Sequence, residues 1–159
     1  MPDSIWDQDL TSMGLDATMF KGKVTLLVNT ASKCGYTYQL TKLQQLHDRY
    51  AANGFTVLAV PSKDYWNQEF DHDAEVCDFY ASTHGVNFPI SKISDVANGG
   101  NPLHRYVADT NAAQPEWNFH KVLIGRDGTV IGSWHTKVEP NDPSIIAGIE
   151  KALSDPVLG

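Results

Sequence analysis

The sequence predicts an α/β fold in which a central mixed β-sheet is flanked by helices. Three patterns carry this prediction: two short apolar runs enclose an amphipathic segment, an Asp-Gly pair joins two later runs, and an apolar helical pattern closes the chain. Short apolar runs are typical of buried strands, and buried parallel strands need helices on both faces. The 159 residues are enough to bury a substantial core, and we expect one domain over residues 1–159.

The first unit is predicted to be strand, helix, strand. The run KVTLLVNT, residues 23–30, predicts the first core strand, and FTVLAVP, Phe55–Pro61, predicts the second. Between them, apolar side chains recur at three- and four-residue intervals until Asn53-Gly54 ends the pattern, which predicts an amphipathic helix. Its buried face would be Leu40, Leu43, Leu46 and Tyr50. Strands connected in this way lie parallel with a right-handed crossover.

A second helix is predicted in the middle of the chain. Asp71 or Asp73 can cap its start, and Gly85 follows its end. It would carry Val76, Phe79 and Tyr80, with Cys77 on the same helix. The following Phe88-Pro89 pair predicts an extended link, because the residue before a proline avoids helical geometry.

The last third of the chain predicts a hairpin and a final helix. The runs KVLI and TVIGSW flank Asp127-Gly128, a strong hairpin signal. Asp142 before Pro143 predicts a helix start. The final helix would bury Ile145, Ile146, Ile149 and Leu153. A further helix is expected around 103–107, between surface connections at 97–101 and 111–114. The order βαβ, helix, hairpin, helix is the thioredoxin arrangement.

Charge and composition exclude several classes of function. The chain has 12 basic and 19 acidic residues, a net charge of −7, and no run of Lys or Arg. Binding to nucleic acid or to an anionic membrane is therefore not expected. The N-terminal MPDSIWDQDL has acidic residues where a signal peptide is basic, and no apolar stretch is long enough to span a membrane. We expect a cytoplasmic protein without membrane insertion.

Cys34 is the candidate reactive residue. It follows the first strand and precedes a helix that begins near Tyr38, at the sheet edge where ligands collect in open α/β folds. A helix N-terminus favours the thiolate, and Lys33 would add to this field. From position alone, a small buried hydrophobic cysteine is an equally good interpretation.

Four segments resemble the cysteine-containing form of the glutathione peroxidase family: NTASKCGYT, VPSKDYWNQE, GVNFP, and WNF followed by KVLIGRDGTV. They occur in the family's order over nearly the whole chain. The resemblance implies that Cys34 reduces peroxide, with Gln68, Trp117 and Asn118 as its catalytic partners. Taken singly, those three residues have structural interpretations, as a loop polar group, a core aromatic and a turn residue. Together, their N–H groups can donate to a thiolate and to a leaving alkoxide, and the first product is a Cys34 sulfenic acid.

The chain departs from the family in two places. Around Pro61 the family reads Phe-Pro-Cys-Asn-Gln-Phe-Gly, whereas residues 60–66 here read VPSKDYW and retain only the proline. The family's bacterial-type resolving cysteine falls on Tyr80, and Cys77 lies one helical turn earlier. We hypothesise that Cys77 condenses with the Cys34 sulfenic acid and that thioredoxin reduces the disulfide. The other interpretation is that Cys77 is a buried residue with only a packing role, and an external thiol such as glutathione would then be the reductant.

Other functions remain open from the sequence. Peroxiredoxin lacks support because no proline and threonine stand at the usual positions before Cys34, and dithiol oxidoreductase or copper-binding proteins need a second nearby cysteine. A peroxide sensor that passes oxidation from Cys34 to a protein partner needs the same thiol. The resemblance also implies a monomer, because the insertion of tetrameric members before the Trp-Asn pair is absent.

The histidines predict no metal site, and no bound cofactor is expected. None has zinc-type spacing with cysteine or carboxylate, so solvated surface positions are expected for His47, His72, His84, His104, His120 and His135. Only His120, two residues after Asn118, lies close enough in sequence to tune the candidate site.

Overall fold

Four strands and four α-helices form the part of the chain that the computed structural model describes, residues 4–110 and 112–155. In chain order they are β1 (Val24–Thr30), α1 (Gln39–Tyr50), β2 (Phe55–Pro61), α2 (Asp73–His84), α3 (Pro102–Asp109), β3 (Lys121–Ile124), β4 (Val130–Trp134) and α4 (Pro143–Ser154). Short 3₁₀ helices add Ile5–Asp7, Thr11–Met13, Ala17–Met19 and Ala51–Asn53. The predicted order of strands and helices is confirmed, with the first strand beginning at Val24 rather than at residue 23.

The strands form one mixed sheet in the order β2-β1-β3-β4. β1 and β2 are parallel, whereas β3 is antiparallel to both β1 and β4. Gly128 supplies the positive φ of 80° in the turn between β3 and β4, as the hairpin prediction requires. The extended link after α2 also forms: Ala59 N–H donates to Pro89 O at 3.0 Å, and Ser91 N–H donates to Ala59 O at 2.9 Å.

Each face of the sheet carries its own apolar core. Leu26 and Val28 of β1 pack in the core that α1, α2 and α4 cover. Leu27, which points the opposite way, packs in the core that α3 and the N-terminal 3₁₀ helices cover. Both faces are therefore buried, as parallel pairing predicts. The sequence did not reveal the N-terminal contribution, in which Trp6 stacks on Phe20 with ring centroids 4.7 Å apart.

The helix starts agree with the sequence at α4 and differ at α2. Asp142 caps α4, accepting a hydrogen bond from Ser144 N–H at 2.9 Å. The N-cap of α2 is His72, without a side-chain cap, so the prediction of Asp71 or Asp73 is wrong. Both carboxylates are engaged elsewhere: Asp71 accepts from Lys63 Nζ at 2.5 Å, and Asp73 accepts from Ile93 N–H at 2.8 Å.

Three smaller expectations also change. Ile146 and Leu153 of α4 are half-buried rather than buried. The connection at 97–101 lies only partly on the surface, because Asn101 is buried and caps α3 by accepting from His104 N–H at 2.9 Å. In the second connection Asn111 lies outside the described residues, and 112–114 are half-buried or exposed.

Two histidines are buried, so the prediction that all six are solvated is wrong. His104 is 2% exposed on the inner face of α3, and His120 is 5% exposed at the start of β3. Burial, with a smaller contribution from His120, lowers the pKa of His104 to about 3. The ring is therefore neutral at pH 7, and Asn101 Nδ2 lies 3.0 Å from its Nδ1.

His104 makes the protein less stable in mild acid. The pKa of His104 is about 3 in the folded chain against an ordinary 6.5, so between these values the unfolded chain binds more protons. As pH falls from 6.5, the free energy of unfolding should drop by up to about 1.4 kcal/mol per pH unit more than in His104→Gln. Urea unfolding at pH 7, 6, 5 and 4 measures this slope. The exposed His72→Gln is the control, and equal slopes for His104→Gln and native protein would contradict the prediction.

Candidate active site

Cys34 lies in the loop that connects the end of β1 with α1. The thiol is half-buried, and its Sγ accepts a hydrogen bond from Tyr36 N–H at 3.4 Å. Thr37 closes the loop, because its Oγ1 accepts from Cys34 N–H at 3.0 Å and donates to Ala31 O at 2.8 Å. The turn at 35–38 separates Cys34 from the first helical residue. The N–H group that binds the sulfur, that of Tyr36, therefore belongs to this turn and not to α1.

Lys33, which the sequence places beside the sulfur, makes contacts of its own with Phe70 and Gln68. Its ammonium lies over the ring of Phe70, 4.8 Å from the centroid, in a cation–π contact. Its backbone instead contributes to the site, because Lys33 N–H donates to Gln68 O at 2.9 Å. The residue next to Cys34 is thereby bonded to the main chain of a predicted partner.

Gln68 and Asn118 are brought together by the fold. Asn118 is fully buried, and its Nδ2 donates to Gln68 Oε1 at 3.2 Å. This bond occupies the acceptor end of the Gln68 amide and leaves its NH₂ group as the end that can donate. The main chain of Asn118 is fixed by a further hydrogen bond, in which Thr136 Oγ1 donates to Asn118 O at 2.7 Å.

Trp117 stands between two other aromatic rings. Tyr65 and Trp66 contact it with ring centroids 5.7 and 5.6 Å away, and Trp66 meets it edge-on at 84°. Trp66 is 83% exposed, so the altered segment 60–66 places a large apolar side chain in solvent beside the site. Asn29 Nδ2 of β1 donates to Trp117 O at 2.8 Å, which fixes the backbone of this turn.

The structure therefore joins Gln68 to Asn118 and joins the main chain of Gln68 to the residue before Cys34. Within residues 4–110 and 112–155, no hydrogen bond joins Cys34 Sγ to the side chains of Gln68, Trp117 or Asn118. Their catalytic roles stay predictions. Side-chain hydrogen bonds in active sites often form only once substrate is bound.

Cys77 lies on the outer side of α2. It is exposed, whereas Val76 and Tyr80 are the residues that α2 buries. Partial burial of the sulfur, followed by the charges of Asp73 and Asp78, raises the pKa of the Cys77 thiol. Both cysteines are free thiols, and the resolving role of Cys77 stays a prediction.

Sequence reasoning missed two buried ionisable groups next to the site. Glu69 follows Gln68 and is 2% exposed, and Lys121, three residues after Asn118, is fully buried. Lys121 Nζ donates to Thr136 O at 2.9 Å and to Val138 O at 2.6 Å. Burial lowers the pKa of Lys121 to about 7. Their place inside two of the segments that resemble the family was the one signal in the sequence.

His120 is also close to this region, and its ring bonds to a main-chain carbonyl. Its Nε2 lies 3.0 Å from Ala113 O, and burial lowers the pKa of the ring. Across the described ranges, no group of three or more His, Cys, Asp or Glu side chains could hold a metal ion. Nor does any described helix have the length and apolar character needed to cross a membrane.

Comparison with known proteins points to one family. A family model described as "Glutathione peroxidase" matches residues 5–108. "Hydroperoxy fatty acid reductase Gpx2" of Synechocystis is 36% identical over 155 residues, covering 96% of this chain and 98% of that protein. "Thioredoxin/glutathione peroxidase BtuE" of Escherichia coli is 34% identical over 160 residues, covering 85% of this chain and 87% of that protein.

Solved structures agree with this result and with the predicted fold. The crystal structure of Trgpx in apo form matches with a TM-score of 0.68 and 32% identity, over 89% of this chain and 88% of that one. Thiol:disulfide interchange proteins from Chlorobium tepidum, one of them a thioredoxin family protein, match with TM-scores of 0.60 and 0.63 at 20% and 17% identity. They cover 86% and 88% of this chain, and 84% and 86% of their own. At that identity they show the fold alone, which is thioredoxin-like.

Proposed function

This chain belongs to the glutathione peroxidase family and is a thiol-dependent peroxidase, and we propose that Cys34 is its peroxide-reducing thiol. The observation that carries the proposal is the pair of bonds around Gln68. Its main chain binds the residue next to Cys34, and its side chain binds Asn118. These two bonds support a role for the Gln68 and Asn118 amides as donors near Cys34.

The reaction we propose begins at the Cys34 thiolate. The sulfur attacks the terminal oxygen of the hydroperoxide, an S–O bond forms, and the O–O bond breaks with its electron pair leaving on the distal oxygen. The sulfur is oxidised to the sulfenic acid, Cys–SOH, and the leaving alkoxide or hydroxide takes up a proton to give an alcohol or water. Gln68, Trp117 and Asn118 supply N–H donors for the charge that develops on the leaving oxygen.

The substrates we propose are hydrogen peroxide and organic hydroperoxides. Gpx2 of Synechocystis carries a name that refers to hydroperoxy fatty acids. In this chain Trp66 presents an exposed apolar ring against Trp117, which suits a substrate with an apolar substituent.

For the regeneration of Cys34 we propose a second thiol followed by an external reductant. Cys77 attacks the sulfenic sulfur, water leaves, and the resulting disulfide is reduced by thioredoxin, with glutathione as the other reductant. Two features support Cys77. Cys77 is an exposed residue, and the N-cap of α2, His72, makes no side-chain cap, so the first turns of α2 can unwind while Tyr80 stays buried. A disulfide requires Cα atoms within about 7 Å, and we propose that this local unwinding brings Cys77 to Cys34.

The setting we propose follows from the same chemistry. Two free cysteines suit a reducing compartment, the cytoplasm, and a role in the response to oxidative stress. We propose that the protein is a monomer. We also propose that it needs no metal or bound cofactor, because the external thiol provides both electrons.

Cys34 should be required for peroxide reduction. We expect Cys34→Ser to consume no hydrogen peroxide, whereas Cys77→Ser should still complete one turnover per chain, because the first step needs only Cys34. Single-turnover peroxide consumption, with mass spectrometry of the Cys34 peptide, measures both. Peroxide reduction by Cys34→Ser equal to that of the native protein would contradict the proposal.

Gln68 should matter through its amide. Gln68→Leu should lower the rate constant of Cys34 oxidation about 100-fold, the usual effect of removing one donor to a developing oxyanion. Stopped-flow measurement with hydrogen peroxide gives this constant. Gln45→Leu, an exposed substitution on α1, is the matched control and should leave it unchanged. Equal rates for the two variants would remove Gln68 from the catalytic set.

Cys77 should appear in a disulfide after peroxide treatment. We expect a Cys34–Cys77 linked peptide in the native protein, absent from Cys77→Ser, and faster turnover with thioredoxin than with glutathione. Non-reducing mass spectrometry and a steady-state assay with each reductant test this. Oxidised Cys34 beside a free Cys77 would show that an external thiol acts directly.

Trapping of mixed disulfides with Cys77→Ser distinguishes an enzyme from a peroxide sensor. An enzyme should capture thioredoxin alone, whereas a sensor would capture a dedicated client protein.

A further inference from the structure

A buried carboxylate joins the Cys34 loop to two other segments. Glu69 Oε1 accepts hydrogen bonds from Ser32 Oγ and from Phe70 N–H, the second at 2.9 Å. Glu69 Oε2 accepts from Tyr80 OH at 2.5 Å, and the same hydroxyl lies 2.8 Å from Thr30 Oγ1. We call Glu69, Ser32, Tyr80 and Thr30 the Glu69 network.

The network is buried and consists of one acid and neutral partners. Glu69 is 2% exposed and Tyr80 is fully buried. No Lys, Arg or His forms an ion pair with Glu69 within the described residues. A buried carboxylate without a counter-charge is unfavourable unless hydrogen bonds replace its water. Tyr80 OH is the one donor to Oε2 among the described residues, so its loss would leave that oxygen without a partner, whereas the loss of Ser32 Oγ would leave Oε1 with Phe70 N–H alone.

The members of the network lie beside the reacting residues. Ser32 precedes Cys34 by two positions, and Glu69 is the neighbour of Gln68. Together with the bond from Lys33 N–H to Gln68 O, the network makes two parallel connections between the loops that carry Cys34 and Gln68. No hydrogen bond joins the Cys34 and Gln68 side chains directly within the described residues, so these two connections, together with the β1–β2 pairing, link the two loops.

We propose that Glu69 is a positioning residue, which through Ser32 and Tyr80 holds the Cys34 loop and Gln68 at the separation that peroxide reduction needs. This proposal rests on the proposed function. Tyr80 has a specific part in it, because α2 reaches the loops through the Tyr80 hydroxyl. Removing that hydroxyl releases one carboxylate oxygen and lets both loops shift. A shift of this kind slows a reaction that needs sulfur, peroxide and amide donor in line.

Tyr80→Phe tests the proposal, since it keeps the ring and removes the hydroxyl. In a Cys77→Ser background, where only Cys34 reacts, we expect the rate constant for oxidation by hydrogen peroxide to fall at least about ten-fold. Alkylation of Cys34 by iodoacetamide needs no aligned donor and should stay within about two-fold. Thermal denaturation confirms that each variant is folded at the assay temperature, where a loss of stability alone changes neither rate.

Tyr50→Phe is the matched control. Tyr50 OH donates to Glu150 Oε2 at 2.7 Å, the same type of bond between α1 and α4 and away from the loops. We expect it to leave both rate constants unchanged. A Tyr80→Phe rate within about two-fold of the control, or equal losses in peroxide and alkylation rates, would overturn the positioning role. If the native protein were not oxidised at all, the proposed function would fail instead.

A second variant tests whether Ser32 and Tyr80 act through the same carboxylate, Glu69. It also replaces Tyr80→Phe as the test if that variant does not fold. Ser32→Ala removes the other side-chain hydroxyl and should also slow peroxide oxidation. The double variant Ser32→Ala/Tyr80→Phe should be no more than about three-fold slower than the slower single variant, because both act through one carboxylate. Losses that multiply in full would show two independent effects and overturn the proposal, as would a Ser32→Ala rate equal to the native rate.

Discussion

The parallel pairing of β1 with β2 is the constraint on which the site depends. Its register places Thr30 opposite Pro61, so the two strands end side by side. The loops that carry Cys34 and Gln68 therefore leave the sheet at the same edge, where side chains from separate connections can meet.

A third segment reaches this edge through β1 itself. Asn29 is fully buried and binds the turn that contains Trp117 twice: its Nδ2 donates to Trp117 O at 2.8 Å, and its carbonyl accepts from Phe119 N–H at 2.6 Å. Phe119 has a φ of 67°, a left-handed conformation that is unfavourable for a residue with a side chain. Such a conformation persists where surrounding contacts impose it, and here they direct Asn118 toward Gln68.

Two buried ionisable groups support the site, and both are stabilised by hydrogen bonds to neutral groups of the protein. Glu69 accepts from neutral donors, and Lys121 donates to two main-chain carbonyls. Burial raises the pKa of Glu69 and lowers the pKa of Lys121, because it disfavours the charged form of each group. Gln39 Nε2 of α1 donates to the same Thr136 carbonyl as Lys121, which ties the turn behind Asn118 to the helix after Cys34.

Local patterns were enough to predict the order of the elements, the parallel pair, the hairpin and the place of Cys34, because periodicity, turn residues and motif order act over short stretches of chain. They could not predict that His104 is buried, that Asp73 binds Ile93 rather than capping α2, or that Glu69 meets Ser32 across 37 residues of sequence. Each of these depends on which segments the sheet brings side by side. A polar side chain finds its partner only once the chain is packed, and burial, not residue type, then sets its charge and its role.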